Sequence, residues 1–145
     1  VDNVYPYHFS SLTKDDLARN AQSGWIGGDD FVCVGQYAAY KGIDVLVDAM
    51  ARFPEQRVVM VGASSKSDDL KRYVREKEAS NVEVIPFLQK DELAERYRRC
   101  KALVLPSRQE CWGLVVNEAA SFGTPIISTR GSGAAVEFLQ GHDEL

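Results

Sequence analysis

Residues 105–127 read LPSRQECWGLVVNEAASFGTPII, and this segment is the most informative part of the sequence about the fold. The apolar run 102–105 predicts a short buried strand, which a polar loop follows. A helix is predicted from about Leu114 to Phe122, where Gly123 is a suitable C-cap. The residues 125–128 then form another strand. A strand, a helix and a strand at this spacing make a βαβ unit, which indicates a parallel sheet.

The same alternation extends along the chain on both sides of this stretch. Leu46, Met50 and Phe53 share one face of a predicted helix and are expected to be its apolar stripe. Further strands are predicted at 31–34, 58–61 and 82–85, and helices at about 43–53, 90–101 and 134–139, with one more opened by Asp68 and Asp69. We therefore predict an α/β fold, a Rossmann-like parallel sheet with helices on both faces. Ligands of such sheets bind beyond the carboxyl ends of the strands.

Residues 1–30 lack this alternation, and we predict that they are a lead-in segment to one domain at 31–145. Thr13 and Asp16 have the spacing of a capping box, so a short helix is expected from there to about Gln22.

The composition is that of an ordinary globular domain. The 145 residues are 45% hydrophobic, and the net charge of −4 argues against nucleic acid as the main partner. Cys33 and Cys100 lie in apolar runs and are expected to be buried thiols in a reducing compartment, which favours the cytoplasm. His8 and His142 are the two histidines and no zinc-type spacing is present, so no metal site is expected. No apolar run approaches the roughly 18 residues of a membrane span.

Within residues 105–127, the groups that could bind a ligand are concentrated around the start of the predicted helix. Glu110 lies in the loop and Glu118 lies one turn inside the helix. The backbone N–H groups of Gly113, Leu114 and Val115 would be free to hold a phosphate there. Carboxylates accept hydrogen bonds from the hydroxyl groups of a sugar. The pattern predicts a ligand with phosphate and polyol parts, while the alternative is that both glutamates are ordinary surface charges.

The two glutamates, with their flanking residues, resemble the E-x7-E signature of the family 4 glycosyltransferases, also called glycosyl transferases group 1, which have the GT-B fold. The shared residues are Pro106-Ser107, Gly113, Glu118-Ala119 and Gly123-Thr124-Pro125. Upstream, residues 34–42 read VGQYAAYKG and are similar to the G-R-x4-K-G phosphate loop of that family. The resemblance covers residues 31 to about 139.

The resemblance implies a role for each matching residue. Glu110 would contact the donor sugar near the reacting centre, Glu118 would hold the ribose hydroxyls, and Lys41 would neutralise the diphosphate. Glu110 and Lys41 are thus the candidate catalytic residues. The wider candidate binding set is Gly35, Gln36, Lys41, Pro86, Phe87, Ser107, Glu110, Gly113, Leu114, Val115 and Glu118, in which Pro86 and Phe87 would face the nucleobase and Ser107 lies in the same edge loop.

The resemblance also implies the reaction and the partners. The expected substrate is a UDP-, GDP- or ADP-sugar, from which a hexosyl unit would pass to a saccharide or other hydroxyl acceptor with retention of configuration. No D-x-D triplet is present, so no metal and no cofactor are expected. The chain would be the C-terminal donor-binding domain of an enzyme whose N-terminal acceptor-binding domain is missing here. The fragment would bind donor and transfer nothing alone, and membrane association would come only through that missing domain.

One departure from the family pattern leaves a second reading open. The family usually has arginine where this chain has Gln36, and glutamine lacks the charged fork that binds phosphate. The alternative function is therefore a degenerate, non-catalytic binding or assembly module of the same fold. Arg108 is a candidate substitute for the lost charge or else a solvated loop residue. The turn 131–133 is either a plain turn or a phosphate cradle.

A dinucleotide-binding oxidoreductase is disfavoured by the first loop. Such a domain needs G-x-G-x-x-G after its first strand, and Gly35-Gln36-Tyr37 does not provide it. A nucleotide-sugar epimerase would share the fold, but the two motifs together favour transfer.

Overall fold

The computed structural model describes residues 12–63 and 67–139. Five strands alternate with helices along the chain. The strands are β1 (Asp30–Val34), β2 (Arg57–Ala63), β3 (Val82–Pro86), β4 (Leu103–Leu105) and β5 (Ile126–Ser128). The helices are α1 (Lys14–Ser23), α2 (Ile43–Met50), α3 (Ser67–Glu76), α4 (Lys90–Arg98), α5 (Leu114–Ser121) and α6 (Gly133–Leu139), and a 3-10 turn covers Ala39–Lys41.

The five strands form one parallel sheet in the order β3-β2-β1-β4-β5. β1 pairs with β2 over five residue positions, from Asp30 opposite Arg57 to Val34 opposite Val61. The chain reverses its direction of winding between β1 and β4, which is the arrangement of a doubly wound domain. The predicted parallel sheet is confirmed.

Side chains alternate across the sheet and build a core on each face. On one face Cys33, Met60 and Val82 pack against Leu46 and Val47 of α2. On the other face Val32, Val59 and Leu103 pack against Tyr97 and Phe122. Helices therefore cover both faces, as the sequence predicts, and the predicted burial of the Cys33 and Cys100 thiols is confirmed.

The predicted elements are present, with differences at their ends. α2 ends at Met50, so Phe53 is not on its apolar stripe and is 54% exposed, which corrects the expectation that it packs inward. Pro54 cannot continue a helix, and the chain turns before reaching it. α4 ends at Arg98 and not at residue 101. His8 and His142 lie outside the described residues.

The short helix predicted in the lead-in segment is α1, and its capping box is confirmed. Thr13 Oγ1 accepts from the Asp16 amide and Asp16 accepts from the Thr13 amide at 2.8 Å. Lys90 Nζ lies 2.9 Å from the Asp16 carboxylate, and Asn20 donates to Ser121 Oγ at 2.8 Å. α1 is therefore tied to α4 and α5 by polar contacts.

The 3-10 turn and the loop after β4 touch through backbone at Gly42. Its φ is 64°, and a Cβ there would overlap the carbonyl oxygen of Pro106. Only glycine satisfies both the left-handed conformation and the close approach.

We predict that Gly42→Ala destabilises the fold much more than Gly123→Ala. Gly123 has φ 76° but open space around its Cβ position, so alanine there costs only the conformational strain of about 1–2 kcal/mol. Alanine at position 42 adds a backbone clash, and we expect a total loss of at least about 3 kcal/mol. Urea unfolding of the two variants measures the difference. Equal losses would contradict the close contact with Pro106.

Candidate functional site

The predicted site residues follow three strands at the carboxyl edge of the sheet. Gly35 and Gln36 follow β1, Phe87 follows β3, and the loop 106–113 follows β4. Since β1 and β4 are neighbours, the 3-10 turn that carries Lys41 and the loop that carries Glu110 meet at this edge. The arrangement places two of the three segments side by side.

Lys41 and Glu110 form an ion pair at the meeting point of these segments. Lys41 Nζ donates to Glu110 Oε2, and the two side chains are 19% and 16% exposed. Gly35 lies beside the same lysine, because a Cβ at Gly35 would be 3.9 Å from Lys41 Cδ and Cε. The structure thus brings together both candidate catalytic residues, although they are 69 positions apart in sequence.

The loop that carries Glu110 is fixed from its other side by the turn 131–133. The Glu110 amide donates to the Gly131 carbonyl at 2.7 Å, and Ser132 Oγ donates to the Trp112 carbonyl at 2.8 Å. A Cβ at Gly131 would lie 2.5 Å from the carbonyl oxygens of Ser107 and Arg108. The glycines of this turn therefore serve backbone packing, which agrees with the plain-turn interpretation.

Arg108 is engaged in the structure and does not point freely into solvent. Its Nη1 and Nη2 each donate to the Asp44 carboxylate at 2.7 Å, and Nη1 also donates to the Ala39 carbonyl at 2.7 Å. The Arg108 guanidinium holds the pKa of Asp44 below its ordinary value, and Asp44 in turn raises the pKa of Arg108. Arg108 remains exposed in its loop, as the solvated-loop interpretation expects, while its guanidinium is paired with Asp44.

The start of α5 has the form that the sequence predicts. Gly113 is its N-cap with φ 89° and offers no capping side chain, while Leu114 and Val115 open the helix. The first N–H groups of such a helix have no intrahelical acceptor and point outward along the axis. A Cβ at Gly113 would lie 2.6 Å from Ser132 Oγ and 3.1 Å from Leu105 Cδ2, so the packing itself requires glycine.

Glu118 is held against α4. The hydroxyl of Tyr97 donates to Glu118 Oε2 at 2.9 Å. Burial, together with the Glu118 carboxylate, holds the pKa of the Tyr97 phenol well above its usual range, so the phenol remains a donor. Tyr97 is buried, and its hydroxyl holds the side chain of Glu118 in place.

The remaining predicted residues are more dispersed. Phe87 is 71% exposed and, with Pro86, lies at the end of β3, two strands from β1. Gln36 is exposed. Ser107 is fully buried, and among the described residues its Oγ is the buried side-chain atom without a hydrogen-bond partner. A ligand bound at the carboxyl edge of the sheet would contact Ser107 only if the loop 106–113 moved.

Three supporting residues were not identified from the sequence. Asp44, Tyr97 and Ser132 each hold a predicted site residue or its loop in place. Asp44 directly follows the Lys41-Gly42-Ile43 segment, and this proximity was the one available signal. Tyr97 carried none, because its partner is distant in sequence, and Ser132 lies in the turn 131–133, which the sequence marked without indicating this role.

No metal-binding cluster is found within residues 12–63 and 67–139, where no three histidines, cysteines or carboxylates come together. None of the helices in the described part of the chain has the length and apolar character that crossing a membrane requires. A cavity of about 440 Å³ lies at the amino edge of the sheet, between Asp30, Arg57 and the side of α4 that carries Glu95 and Arg96. None of the predicted site residues lines this cavity.

Comparison with known proteins gives one consistent match. The model of the family "Glycosyl transferases group 1" matches residues 20–143. The O-antigen chain mannosyltransferase C of Escherichia coli is 31% identical over 81% of this chain and 33% of its own length. The chain spans 19–34% of the length of the curated relatives it matches.

Solved structures show the same fold. Sucrose-phosphate synthase from Thermosynechococcus elongatus superposes with a TM-score of 0.67 at 26% identity, over 92% of this chain and 34% of that one. Anabaena HepE, solved in complex with UDP and glucose, gives a TM-score of 0.65 at 21% identity, over 87% of this chain and 36% of that one. The Rossmann-like domain of a GT-B glycosyltransferase, which the resemblance implied, is confirmed as the fold class.

We predict that Arg108→Ala raises the pKa of Asp44 toward the ordinary aspartate value of about 3.9. A depressed pKa means that Asp44 contributes stability above about pH 4 and that this contribution is lost as the pH falls through its folded pKa. The stability lost in Arg108→Ala at neutral pH is therefore expected to be small, because the pair is exposed, and to vanish in acid. NMR titration of the Asp44 carboxyl measures the shift.

The control is Lys77→Ala, which removes the partner of Asp48, one turn after Asp44 on α2. Lys77 lies 3.0 Å from Asp48 and lowers the pKa of that carboxyl. This variant should therefore raise the pKa of Asp48 and leave the pKa of Asp44 unchanged. An Asp44 pKa that does not respond to Arg108→Ala would contradict the assigned pairing.

Proposed function

This chain belongs to the glycosyl transferases group 1 family, and from that premise we propose that it is the donor-binding domain of a retaining, family 4 hexosyltransferase. The single observation that supports the proposal best is the Lys41–Glu110 pair at the carboxyl edge of the sheet. It combines a cation for a diphosphate with a carboxylate for sugar hydroxyls at the position where ligands of such sheets bind.

The diphosphate would lie between Lys41 and the start of α5. An uncapped helix N-terminus presents free N–H groups at Gly113, Leu114 and Val115, and its dipole favours an anion. A diphosphate would also compete with Glu110 for the ammonium group of Lys41. Lys41 and the helix end would then stabilise the charge that develops on the leaving diphosphate, which is electrostatic catalysis.

The sugar and the ribose would use the two carboxylates. Glu110, released from Lys41, would accept hydrogen bonds from the donor hexose and orient it for attack. Glu118, whose Oε2 is already fixed by Tyr97, would accept from the ribose hydroxyls. The nucleobase would lie toward Pro86 and Phe87, whose ring is exposed for stacking. The neighbour HepE, with UDP and glucose bound, is consistent with a nucleotide-sugar donor.

The complete enzyme would contain a second domain for the acceptor. The chain spans about a third of the length of relatives such as the O-antigen chain mannosyltransferase C, and we propose that transfer takes place in a cleft between two domains. The proposed mechanism uses Lys41 and helix N–H groups in place of a divalent cation. We place the enzyme in the cytoplasm, with any membrane contact made through the acceptor domain.

We predict that the chain binds one of UDP, GDP or ADP, and that Lys41→Ala and Glu118→Ala each weaken binding roughly 10- to 100-fold. Each variant removes a charge-assisted hydrogen bond, which contributes about 1.5–3 kcal/mol. Isothermal titration calorimetry with the three nucleotides measures the affinities and identifies the base. Lys77→Ala and Glu83→Ala are matched controls, since both remove an exposed charge far from the edge and should bind as the unmodified chain does.

No binding to any of the three nucleotides by a folded chain would overturn the proposal. Binding that survives both Lys41→Ala and Glu118→Ala would overturn the assignment of these residues. Circular dichroism spectra of each variant establish that the fold is retained.

We predict further that Gln36→Arg strengthens nucleotide diphosphate binding. Gln36 is exposed beside the Lys41 turn, and arginine there would add a bidentate donor for phosphate. In a functional donor domain the gain should be modest, roughly 3- to 10-fold, because Lys41 already serves the diphosphate. Titration of both chains measures it. If the unmodified chain binds nucleotide barely at all and Gln36→Arg raises the affinity far above this range, the degenerate binding module is favoured instead.

A further inference from the structure

We propose that Arg108 is a positioning residue that locks the turn of Lys41 to the loop of Glu110, so that the two charges face the same point. The proposal rests on the function proposed above, since it concerns the same site. It assigns no ligand contact to Arg108 itself. Its basis is the set of bonds that join the two segments.

Arg108 joins the segments through both its backbone and its side chain. Its amide donates to the Tyr40 carbonyl at 2.8 Å, and the Gln109 amide shares that acceptor at 3.3 Å. Its guanidinium donates to the Ala39 carbonyl and to both oxygens of Asp44, each at 2.7 Å. One residue of the Glu110 loop therefore holds both the 3-10 turn and the start of α2.

The Lys41 turn has little internal support of its own. It is one 3-10 turn whose N-cap, Ala38, makes no side-chain bond, and its own hydrogen bonds are Lys41 N to Ala38 O at 2.9 Å and Gly42 N to Ala39 O at 3.4 Å. Short 3-10 segments have poor hydrogen-bond geometry and depend on their surroundings. Arg108 supplies that support from the neighbouring loop.

The competing role for Arg108 is direct binding of the diphosphate, in place of the arginine that Gln36 replaces. The geometry disfavours it, because the guanidinium faces a carboxylate that neutralises its charge in a bidentate pair. If the Arg108 guanidinium left Asp44 to bind a phosphate, the Asp44 carboxylate would face the same anion. The two roles predict opposite effects of removing the Asp44 charge.

The test compares UDP, GDP and ADP affinities of Asp44→Asn, Arg108→Ala and the charge-swapped double variant with Asp44→Arg and Arg108→Asp. Under the positioning role each single variant weakens binding roughly 3- to 10-fold, and the swap recovers part of the loss, because the pair re-forms although an aspartate at position 108 cannot donate to the Ala39 carbonyl. Under direct phosphate contact, Asp44→Asn frees Arg108 and strengthens binding, and the swap fails to recover. Either of these last two results overturns the proposal.

The control is the pair Asp48–Lys77, of which Asp48 lies one turn after Asp44 on α2. Tyr73 and Lys77 contact Asp48 at 2.9 Å and 3.0 Å, and none of the three is a predicted site residue. Asp48→Asn removes the same kind of charge from α2 and should leave the nucleotide affinity unchanged. A loss equal to that of Asp44→Asn would show a general effect on the helix and would overturn the assignment.

Hydrogen exchange without nucleotide separates failure of this proposal from failure of the proposed function. If no nucleotide binds the unmodified chain, the proposed function fails and exchange alone decides the role of Arg108. We expect the amides of Lys41 and Gln109 to exchange roughly 10-fold faster in Arg108→Ala and to regain protection in the swap. Unchanged protection of both amides in Arg108→Ala would overturn the proposal.

Discussion

The site depends on backbone packing between loops that follow β1, β4 and β5. The Ser132 hydroxyl fills the space beside Gly113, and glycines at positions 42 and 131 leave no room for a Cβ because the backbone carbonyls of Pro106 and Ser107 lie against them. Such contact brings main chains closer than any side chain would allow, and it fixes the separation of the loops in a way that flexible side chains do not. The positions of Lys41 and Glu110 follow from this packing, since each lies on one of the joined segments.

The sequence was sufficient for the architecture because the apolar pattern of each element is strong. Buried runs such as Val32-Cys33 and Val58-Val59 are bounded by glycine, proline or charge, and the boundaries were correct to within a few residues. Helix ends were the weaker part. Phe53 fits the helical spacing of α2, but Pro54 and the turn before it ended the helix first.

The sequence was less informative about what holds the site together. Asp44 and Arg108 are 64 positions apart, and Tyr97 and Glu118 are 21 apart. No local pattern links such pairs, since their contact depends on how the loops pack at the sheet edge. The motif residues Lys41, Glu110 and Gly113 could be found because their spacing resembles that of a known family. Their partners could be found only in three dimensions.

In the proposed donor site, an incoming anion would have to displace the Glu110 carboxylate, which is already paired with Lys41. A free phosphate or pyrophosphate would take the lysine but leave a half-buried carboxylate without a partner, which is costly. A molecule that brings both an anion and hydroxyl donors satisfies each half of the separated pair. Under the proposed function, selectivity for composite molecules over their simpler parts would follow from this pair alone, before any group recognises a particular base or sugar.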